Sequence, residues 1–346
     1  MNSREGRPPQ RPAVLLLNFG GPRDLEEVRP FLYEILRDPN TLQLPVPQPV
    51  QNLLAWTIAR RRAAESRRQY GEIGGASPIV EASERIAAAL QLALASAGRP
   101  MQLYVAHRYL RGWSAQTARH IVSAGVDGLL ALPLYPHFSY ASTGSSMQQA
   151  EAALRRAGYG GALRAVRSYP DAPGYVDALC ARLTECLGRA APSQADTVIL
   201  CSAHGLPEAY VARGDPYPEE LSRTLAALRP RFAGWRFVVS YQSRVGPAQW
   251  LKPYTDAIVP ELAGEGVKEV VFLPLSFVND HIETLFEIGH TYFQLARKAG
   301  MTPHLVAAVE HHPAFIGELS AMASAWAAGE AGVAPSELLP PKRGWW

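Results

Sequence analysis

Short apolar runs alternate with longer segments of helical periodicity along this chain. Seven runs lie close to Gly or Pro and have the length of buried strands: Val14–Phe19, Leu103–His107, Gly128–Leu134, Thr197–Cys201, Phe237–Tyr241, Val270–Leu275 and His304–Val309. Among the helical segments between them are Ser83–Ser96, Gly174–Leu187 and Pro218–Leu228. Continuously apolar strands that alternate with helices predict an α/β fold of the doubly wound type, in which helices cover both faces of parallel sheets.

Three short motifs occur twice in the same order, once in each half of the chain. Leu132-Pro133-Leu134 matches Leu273-Pro274-Leu275 at an offset of 273 − 132 = 141 residues. Tyr104–Tyr109 resembles Phe237–Gln242 at an offset of 237 − 104 = 133 residues, whereas Pro22 corresponds to Pro207 at 207 − 22 = 185. The common order predicts two similar domains. The change in offset, 185 − 133 = 52, predicts that the first half carries about 52 extra residues after its first strand.

The length of 346 residues agrees with two domains at roughly 150 residues each. We predict a first domain at residues 12–165, with the insertion at about 23–76, and a second domain at residues 166–330. Residues 1–11 and 333–346 are predicted to be flexible tails.

The charge balance and the cysteines exclude several classes of protein. Lys+Arg 34 against Asp+Glu 31 gives a net charge of +3, which does not indicate nucleic-acid binding. No apolar stretch has the roughly 18 to 20 residues of a membrane span, and the first residues hold no apolar signal segment. Cys180, Cys186 and Cys201 form an odd set without a CxxC pair. We therefore expect reduced thiols, a cytoplasmic location and no disulfide framework, zinc site or iron–sulfur cluster.

Polar and aromatic residues follow the predicted strands, at the edge where open parallel sheets bind ligands. His204 follows one strand, and Glu283 and Glu287 share one face of a helix that begins after another. Imidazole together with carboxylate can bind Fe²⁺ or transfer protons. A turn-capping histidine and a solvated helix face are the alternatives. No HExxH, GxGxxG, Walker loop or nucleophile elbow supports a hydrolytic zinc, nucleotide or hydrolase site.

A run of arginines lies in the predicted insertion, and it has two interpretations. The arginines are Arg60, Arg61, Arg62, Arg67 and Arg68. They indicate either a solvated helix face or a clamp for carboxylates or phosphates.

Eight segments of the chain together resemble the ferrochelatases, which insert Fe²⁺ into a porphyrin in haem biosynthesis. In the first half they are Leu15–Pro22 (LLLNFGGP), Gln69–Ile79 (QYGEIGGASPI), Ala106–Tyr109 (AHRY), Leu132–Ser139 (LPLYPHFS) and Ser142–Ser146 (STGSS). In the second half they are Ser202–Tyr210 (SAHGLPEAY), Tyr241–Thr255 (YQSRVGPAQWLKPYT) and Leu273–Glu287 (LPLSFVNDHIETLFE). Their order and spacing fit the family from about Val14 to Arg297.

The resemblance implies two Rossmann-like domains with a porphyrin cleft between them. It implies that His204 and Glu283 are the catalytic and metal-binding residues, that they face each other across the macrocycle, and that Glu287 is an outer relay. It implies substrate contacts at Phe19, Arg62, Ser77, Arg108, Tyr109, Tyr135 and Tyr241. No cofactor beyond the substrate Fe²⁺ is expected, and no iron–sulfur cluster. Thr291 stands where the family commonly has a third acid, and Glu65 stands where some members have a basic residue.

The resemblance predicts that the chain inserts Fe²⁺ into protoporphyrin IX and releases two protons. A relative that uses coproporphyrin III, a chelatase that inserts Co²⁺ or Ni²⁺ into a precorrin-type ring, and a porphyrin or haem carrier are the alternatives. Contact with a membrane surface through Leu53, Leu54 and Trp56 and the oligomeric state are left open.

Overall fold

The computed structural model describes residues 9–39, 46–246 and 248–330. Most of the two predicted tails, residues 1–8 and 333–346, lies outside the described residues. The chain divides into two compact units. The first contains the described residues up to Ser168 and those from Ile316 onward, and the second contains Tyr169–Phe315.

The sheet of the first unit is parallel throughout the described strands. Its strands are β1 (Pro12–Asn18), β2 (Gln102–His107), β3 (Gly128–Pro133) and β4 (Ala162–Ala165), in the order β2-β1-β3-β4. Ala13 to Leu17 are each at most 2% exposed. A strand with apolar side chains on both sides must be covered on both faces, and for this reason the sequence shows a continuous apolar run.

The sheet of the second unit repeats this arrangement. Its strands are β5 (Thr197–His204), β6 (Arg236–Gln242), β7 (Glu269–Pro274) and β8 (Thr302–Leu305), all parallel, in the order β6-β5-β7-β8. The first strand of each unit is therefore paired with the second and third. The predicted α/β class with two similar units is confirmed.

Helices flank both sheets. Those before the second unit are α1 (Val28–Leu36), α2 (Gln48–Glu72), α3 (Ile79–Ser96), α4 (Trp113–Ser123), the π-helix π1 (Tyr140–Gly144) and α5 (Ser145–Arg156). The rest are α6 (Pro173–Ala190), α7 (Glu208–Ala212), α8 (Tyr217–Leu228), α9 (Thr255–Gly264), the π-helix π2 (Glu283–Tyr292), α10 (Phe293–Lys298) and α11 (Pro313–Ala327), with short 3₁₀ turns at Gln194–Asp196 and Arg229–Phe232. None of the described helices has the length and apolar character needed to cross a membrane.

The extra residues of the first half lie between β1 and β2. That connection contains residues 19–101, whereas the equivalent connection between β5 and β6 contains residues 205–235, a difference of 83 − 31 = 52 residues. The N–H of Ser77 donates to the carbonyl oxygen of Pro22 at 2.8 Å, so the two ends of the predicted insertion meet. Within the insertion, α1 and α2 pack together through Leu36, Ala55 and Ala59.

The end of the chain is divided differently from the predicted boundary. We predicted that the second domain extends to residue 330, whereas residues from Ile316 belong to the first unit. The reason lies in the contacts of α11. Arg99 donates to the carbonyl oxygen of Ser324 at 2.7 Å, and the ring of Trp326 packs beside Gly128 at the start of β3. Such contacts join residues that are distant in sequence, and the apolar pattern of α11 does not show them.

Candidate active site

His204 is the last residue of β5, and its side chain is 40% exposed. The next residue, Gly205, donates its N–H to the carbonyl oxygen of Gln242 at 2.8 Å. A Cβ at position 205 would lie 2.8 Å from that oxygen, which is closer than carbon and oxygen pack. Glycine therefore permits the ends of β5 and β6 to approach each other beside His204. The ring of Trp250 lies edge-on to the imidazole, with centroids 6.5 Å apart.

The helix π2 supplies the two glutamates. Its Ile288 and Tyr292 are buried in the core of the second unit with Phe272, and the rings of Tyr292 and Phe272 stack with centroids 6.4 Å apart. Because the apolar side of the helix is fixed in this way, Glu283 and Glu287 lie together on its polar side. π-Helical turns are rare in proteins, and those that do occur often lie at functional sites.

His204 and Glu283 are in direct contact. The Nδ1 atom of His204 lies 2.8 Å from Oε2 of Glu283. The expectation that these two residues face each other across a macrocycle is therefore wrong, because a ring between them needs van der Waals contact on both faces, a gap of about 7 Å. The two side chains belong to one unit and form one hydrogen-bonded pair.

The pair favours the charged form of both partners. Burial opposes ionisation of Glu283, but the His204 charge and hydrogen bond outweigh it and lower the pKa of Glu283 to about 2. Burial also opposes the charge on His204, and the carboxylates of Glu283 and Glu287 overcome it and raise the pKa of that imidazole. The contact therefore favours an imidazolium next to a carboxylate.

Glu287 is held by four hydrogen bonds from the protein. Its carboxylate accepts from the backbone N–H of Ser243 at 2.9 Å, from the Ser243 hydroxyl, from Gln242 Nε2 at 3.2 Å and from the Tyr292 hydroxyl at 2.8 Å. Its burial and the charge of Glu283 nevertheless raise the pKa of Glu287. The two acids thus have pKa values shifted in opposite directions, as is typical of paired carboxylates with different tasks.

Ser243 connects the two acids, and the sequence does not assign it a role. Its hydroxyl also donates to Oε2 of Glu283 at 3.3 Å. Its φ of 64° lies in the left-handed region, which is uncommon for a residue other than glycine and which often marks a functional turn. The family resemblance assigns a function to Tyr241 near the end of β6, but to no residue directly after that strand. Tyr241 is half-buried, and its N–H donates to the carbonyl oxygen of Pro253 at 2.8 Å.

The predicted aromatic residues of the first unit form one cluster at the carboxyl ends of β1, β2 and β3. The ring of Phe19 lies 5.4 Å from that of Tyr109 and 5.2 Å from that of Tyr135. Tyr109 and Tyr135 are buried, and Phe19 is half-buried. The structure therefore brings together three residues that are more than 20 positions apart in the sequence.

The predicted polar contacts of the first unit differ in exposure. Ser77 and Arg108 are buried. Arg62 is exposed on α2 and forms no ion pair or side-chain hydrogen bond within the described part of the chain. Arg68, by contrast, is paired with Glu65 and Glu72 on the same helix.

The fold is shared with chelatases. SirB from Bacillus subtilis, solved with Fe³⁺, superimposes with a TM-score of 0.54 at 10% identity, covering 92% of this chain and 97% of that chain. The sirohydrochlorin chelatase SirB from Bacillus subtilis subspecies spizizenii, in complex with cobalt, gives a TM-score of 0.52 at 11% identity and covers 92% and 97%. The two parallel sheets thus have a chelatase fold. His204 and the two glutamates lie at the carboxyl edge of one of these sheets.

Sequence comparison gives the family. A family model described as Ferrochelatase matches residues 11–325. A ferrochelatase of Cyanothece sp. (strain PCC 7425 / ATCC 29141) is 42% identical over 319 residues, covering 90% of this chain and 81% of the relative. One of Synechococcus sp. (strain JA-3-3Ab) is 40% identical over 325 residues, covering 89% and 92%. The chain belongs to the ferrochelatase family, and the resemblance noted in the sequence is confirmed.

Proposed function

We propose that this chain is the enzyme that inserts Fe²⁺ into protoporphyrin IX and releases the two pyrrole protons. The observation that carries the proposal is the pair of His204 Nδ1 and Glu283 Oε2 at 2.8 Å, placed where β5 ends in a chain of this family. An imidazole nitrogen and a carboxylate oxygen are both suitable ligands for Fe²⁺.

The charges of the pair suit the arrival of a divalent cation. Glu283 remains a carboxylate at neutral pH because its pKa is about 2, so it attracts the metal. A cation near Glu283 disfavours a second positive charge on His204 and favours loss of the imidazolium proton. His204 passes that proton to solvent, to which its side chain is 40% exposed, and its free nitrogen can then accept each pyrrole proton in turn and release it to solvent. Glu287, which is linked to Glu283 through Ser243, is proposed as the outer relay.

Aromatic and basic residues are proposed to bind the porphyrin. The rings of Phe19 and Tyr241, which are half-buried, and of Tyr109 and Tyr135, which pack against Phe19, are proposed to grip and bend a planar macrocycle, which turns a nitrogen lone pair toward the metal. Arg62, whose charge is not paired within the described residues, is proposed to bind a propionate. Ser77 is proposed as a further polar contact.

The choice of porphyrin is part of the proposal, and coproporphyrin III is the second candidate. It carries four propionates where protoporphyrin IX carries two. The three consecutive exposed arginines Arg60, Arg61 and Arg62 are the observation in its favour. Turnover of the two porphyrins by the same preparation decides between them: a higher kcat/KM with coproporphyrin III would overturn the first choice.

We further propose a cytoplasmic enzyme without a resident cofactor. The free thiols of Cys180, Cys186 and Cys201 support this location. Contact with a membrane surface is proposed for exposed apolar side chains of α2, among them Leu53, Leu54 and Trp56.

The decisive experiment is an anaerobic insertion assay with the full chain, Fe²⁺ and protoporphyrin IX. His204→Ala and Glu283→Gln should each lower kcat at least about 100-fold, the contribution typical of a positioned acid–base group. His304→Ala is the matched control, since His304 forms a pair with Glu269 at the same 2.8 Å distance in the same unit. It should retain wild-type turnover.

Two results would contradict the proposal. Wild-type turnover in His204→Ala would remove the assigned mechanism. Porphyrin binding by the wild-type chain, followed by fluorescence quenching, without any insertion of Fe²⁺ would support a carrier instead.

A further inference from the structure

Asp38 connects the end of α1 to the end of β2. It lies two residues after the last residue of α1, and its Oδ2 accepts a hydrogen bond from Nη2 of Arg108 at 2.5 Å and from the hydroxyl of Tyr109 at 3.1 Å. Both partners follow β2 and are 70 and 71 residues away in the sequence. One carboxylate oxygen therefore holds two neighbouring residues of the aromatic region.

The guanidinium of Arg108 is bonded to the protein through both terminal nitrogens. Its side chain is 2% exposed, and that of Asp38 is 16% exposed. Nη2 donates to Asp38, while Nη1 donates to the carbonyl oxygen of Ala141 at 3.2 Å and to the hydroxyl of Ser145. A buried cation without a carboxylate is costly, so Asp38 is needed to keep Arg108 in this position. Arg108 thus joins three segments: the end of β2, the end of α1 and π1 with the start of α5.

Tyr109 is held from several sides by the same arrangement. The Arg108 guanidinium lies 4.9 Å from its ring centroid, in the range of cation–π attraction. The ring also packs against Phe19 and, edge-on, against Phe31 of α1 at 6.5 Å. The hydrogen bond from its hydroxyl to Asp38 fixes the orientation of the Tyr109 ring. Tyr109 in turn restricts the ring of Phe19, which contacts Tyr135.

We infer that Asp38 is a positioning residue for porphyrin binding: its carboxylate fixes Arg108 and Tyr109 and thereby sets the aromatic surface offered to the macrocycle. The inference rests on the proposed function and adds a residue to it. Arg108 is likewise a positioning residue, because it is the cation that pairs with Asp38 inside the protein. Side chains that are already held in the binding geometry lose less entropy when the ligand arrives, so removing the Asp38 charge weakens binding.

The test compares Asp38→Asn with Glu34→Gln in the full chain. Asparagine keeps the shape of the aspartate and removes its charge. Glu34 is a matched control because it forms an ion pair with Arg37 at 2.8 Å and its side chain is 17% exposed, close to the 16% of Asp38. We expect Asp38→Asn to raise the Kd of metal-free protoporphyrin IX and the porphyrin KM about tenfold, with kcat within twofold of wild type. Glu34→Gln should change neither.

A double-mutant cycle tests the route through Tyr109. Tyr109→Phe removes the hydroxyl that donates to Asp38 and keeps the ring. If Asp38 acts through Tyr109 and Arg108, the effect of the double variant on Kd should be smaller than the product of the single effects. Fully multiplicative effects would overturn that route.

Amide hydrogen exchange of the porphyrin-free chain gives a readout that does not depend on activity. Asp38→Asn should speed exchange at least about tenfold in the peptides of α1 and of residues 108–110, and Glu34→Gln should not. Unchanged exchange would overturn the inference. Faster exchange with an unchanged Kd would also overturn it, because Asp38 would then serve stability alone.

A wild type that binds porphyrin but inserts no Fe²⁺ would refute the proposed function, while Kd and exchange would still decide the role of Asp38.

Discussion

The pair of His204 and Glu283 combines two opposite pKa shifts in one contact, and its contribution to stability follows from their signs. The pKa of Glu283 falls from its ordinary 4.5 to about 2, so its contribution is present above about pH 4.5 and is lost as the pH falls toward 2. The pKa of His204 is raised above its ordinary 6.5, so its contribution is complete below 6.5 and is lost as the pH rises through the raised value. The pair therefore stabilises the fold most between about pH 4.5 and 6.5.

Glu283→Gln should lower the pKa of His204. The substitution removes the charge that raises this pKa most strongly and leaves the burial that lowers it, with Glu287 as the remaining carboxylate. An NMR titration of the imidazole in the metal-free protein measures the change. An unchanged pKa of His204 would show that the 2.8 Å contact is not maintained in solution.

At the scale of single residues, the sequence identified the residues assigned to the reaction better than the residues that hold them in place. His204 and Glu283 stand out because each follows an apolar strand and lies in a motif of the family. Ser243 and Asp38 do not stand out, because their roles depend on a left-handed φ in one case and on a partner 70 residues away in the other. Local pattern carries neither kind of information.

The strands were predicted well where both faces are apolar. Six of the eight described strands match apolar runs, while the run His304–Val309 shares only His304 and Leu305 with β8. The missed strand, β4, has only four residues, one of them Arg164, and it pairs on one side only, with β3. An edge strand of this kind has too little apolar surface for its pattern to stand out. The π-helical form of π2 was also outside the reach of the sequence, since the spacing of Glu283 and Glu287 suits an α-helix equally.

Helix α2 is predicted to be sensitive to side-chain size on its buried face. Ala55 and Ala59 are each 1% exposed where α2 packs on α1. Ala59→Leu should therefore destabilise the protein by about 1–3 kcal/mol, the cost typical of overpacking. Ala64→Leu is the control, because Ala64 is exposed on the same helix and leucine is nearly as good a helix former. Urea unfolding followed by circular dichroism measures both; equal midpoints would contradict the close packing of α1 on α2.

At the scale of the whole molecule, the repeat was readable because each half places its strands in the same order. The difference of 52 residues between the two connections follows from the motif offsets alone. The assignment of α11 to the first unit could not be read in this way, since contacts such as that of Arg99 with Ser324 span 225 residues. The direct contact of His204 with Glu283 was missed for a similar reason: sequence separation does not show on which side of a ligand two residues lie.

The net charge of +3 does not show which arginines are already paired, whereas Arg62 has no ion pair among the described residues. Arg62→Gln and Arg68→Gln change the net charge equally, but Arg68 already has carboxylate partners on its own helix. An exposed ion pair contributes about 0.2–1 kcal/mol, so Arg62→Gln should raise the porphyrin KM up to about fivefold and weaken its dependence on salt. Arg68→Gln should leave both unchanged. Initial rates at low and high ionic strength measure the difference, and equal effects of the two variants would refute a specific role for Arg62.

The hydrogen bond between Ser77 and Pro22 affects how the length and sequence of the insertion can change during evolution. Because Pro22 and Ser77, which flank residues 23–76, meet at 2.8 Å, that segment leaves the sheet of the first unit after β1 and returns at nearly one point. The cost of closing a loop rises only slowly with its length, so a segment of this kind can lengthen, shorten or be exchanged while the strands on either side keep their register. The part of the molecule proposed to select the porphyrin can thus diverge faster than the part proposed to hold the metal.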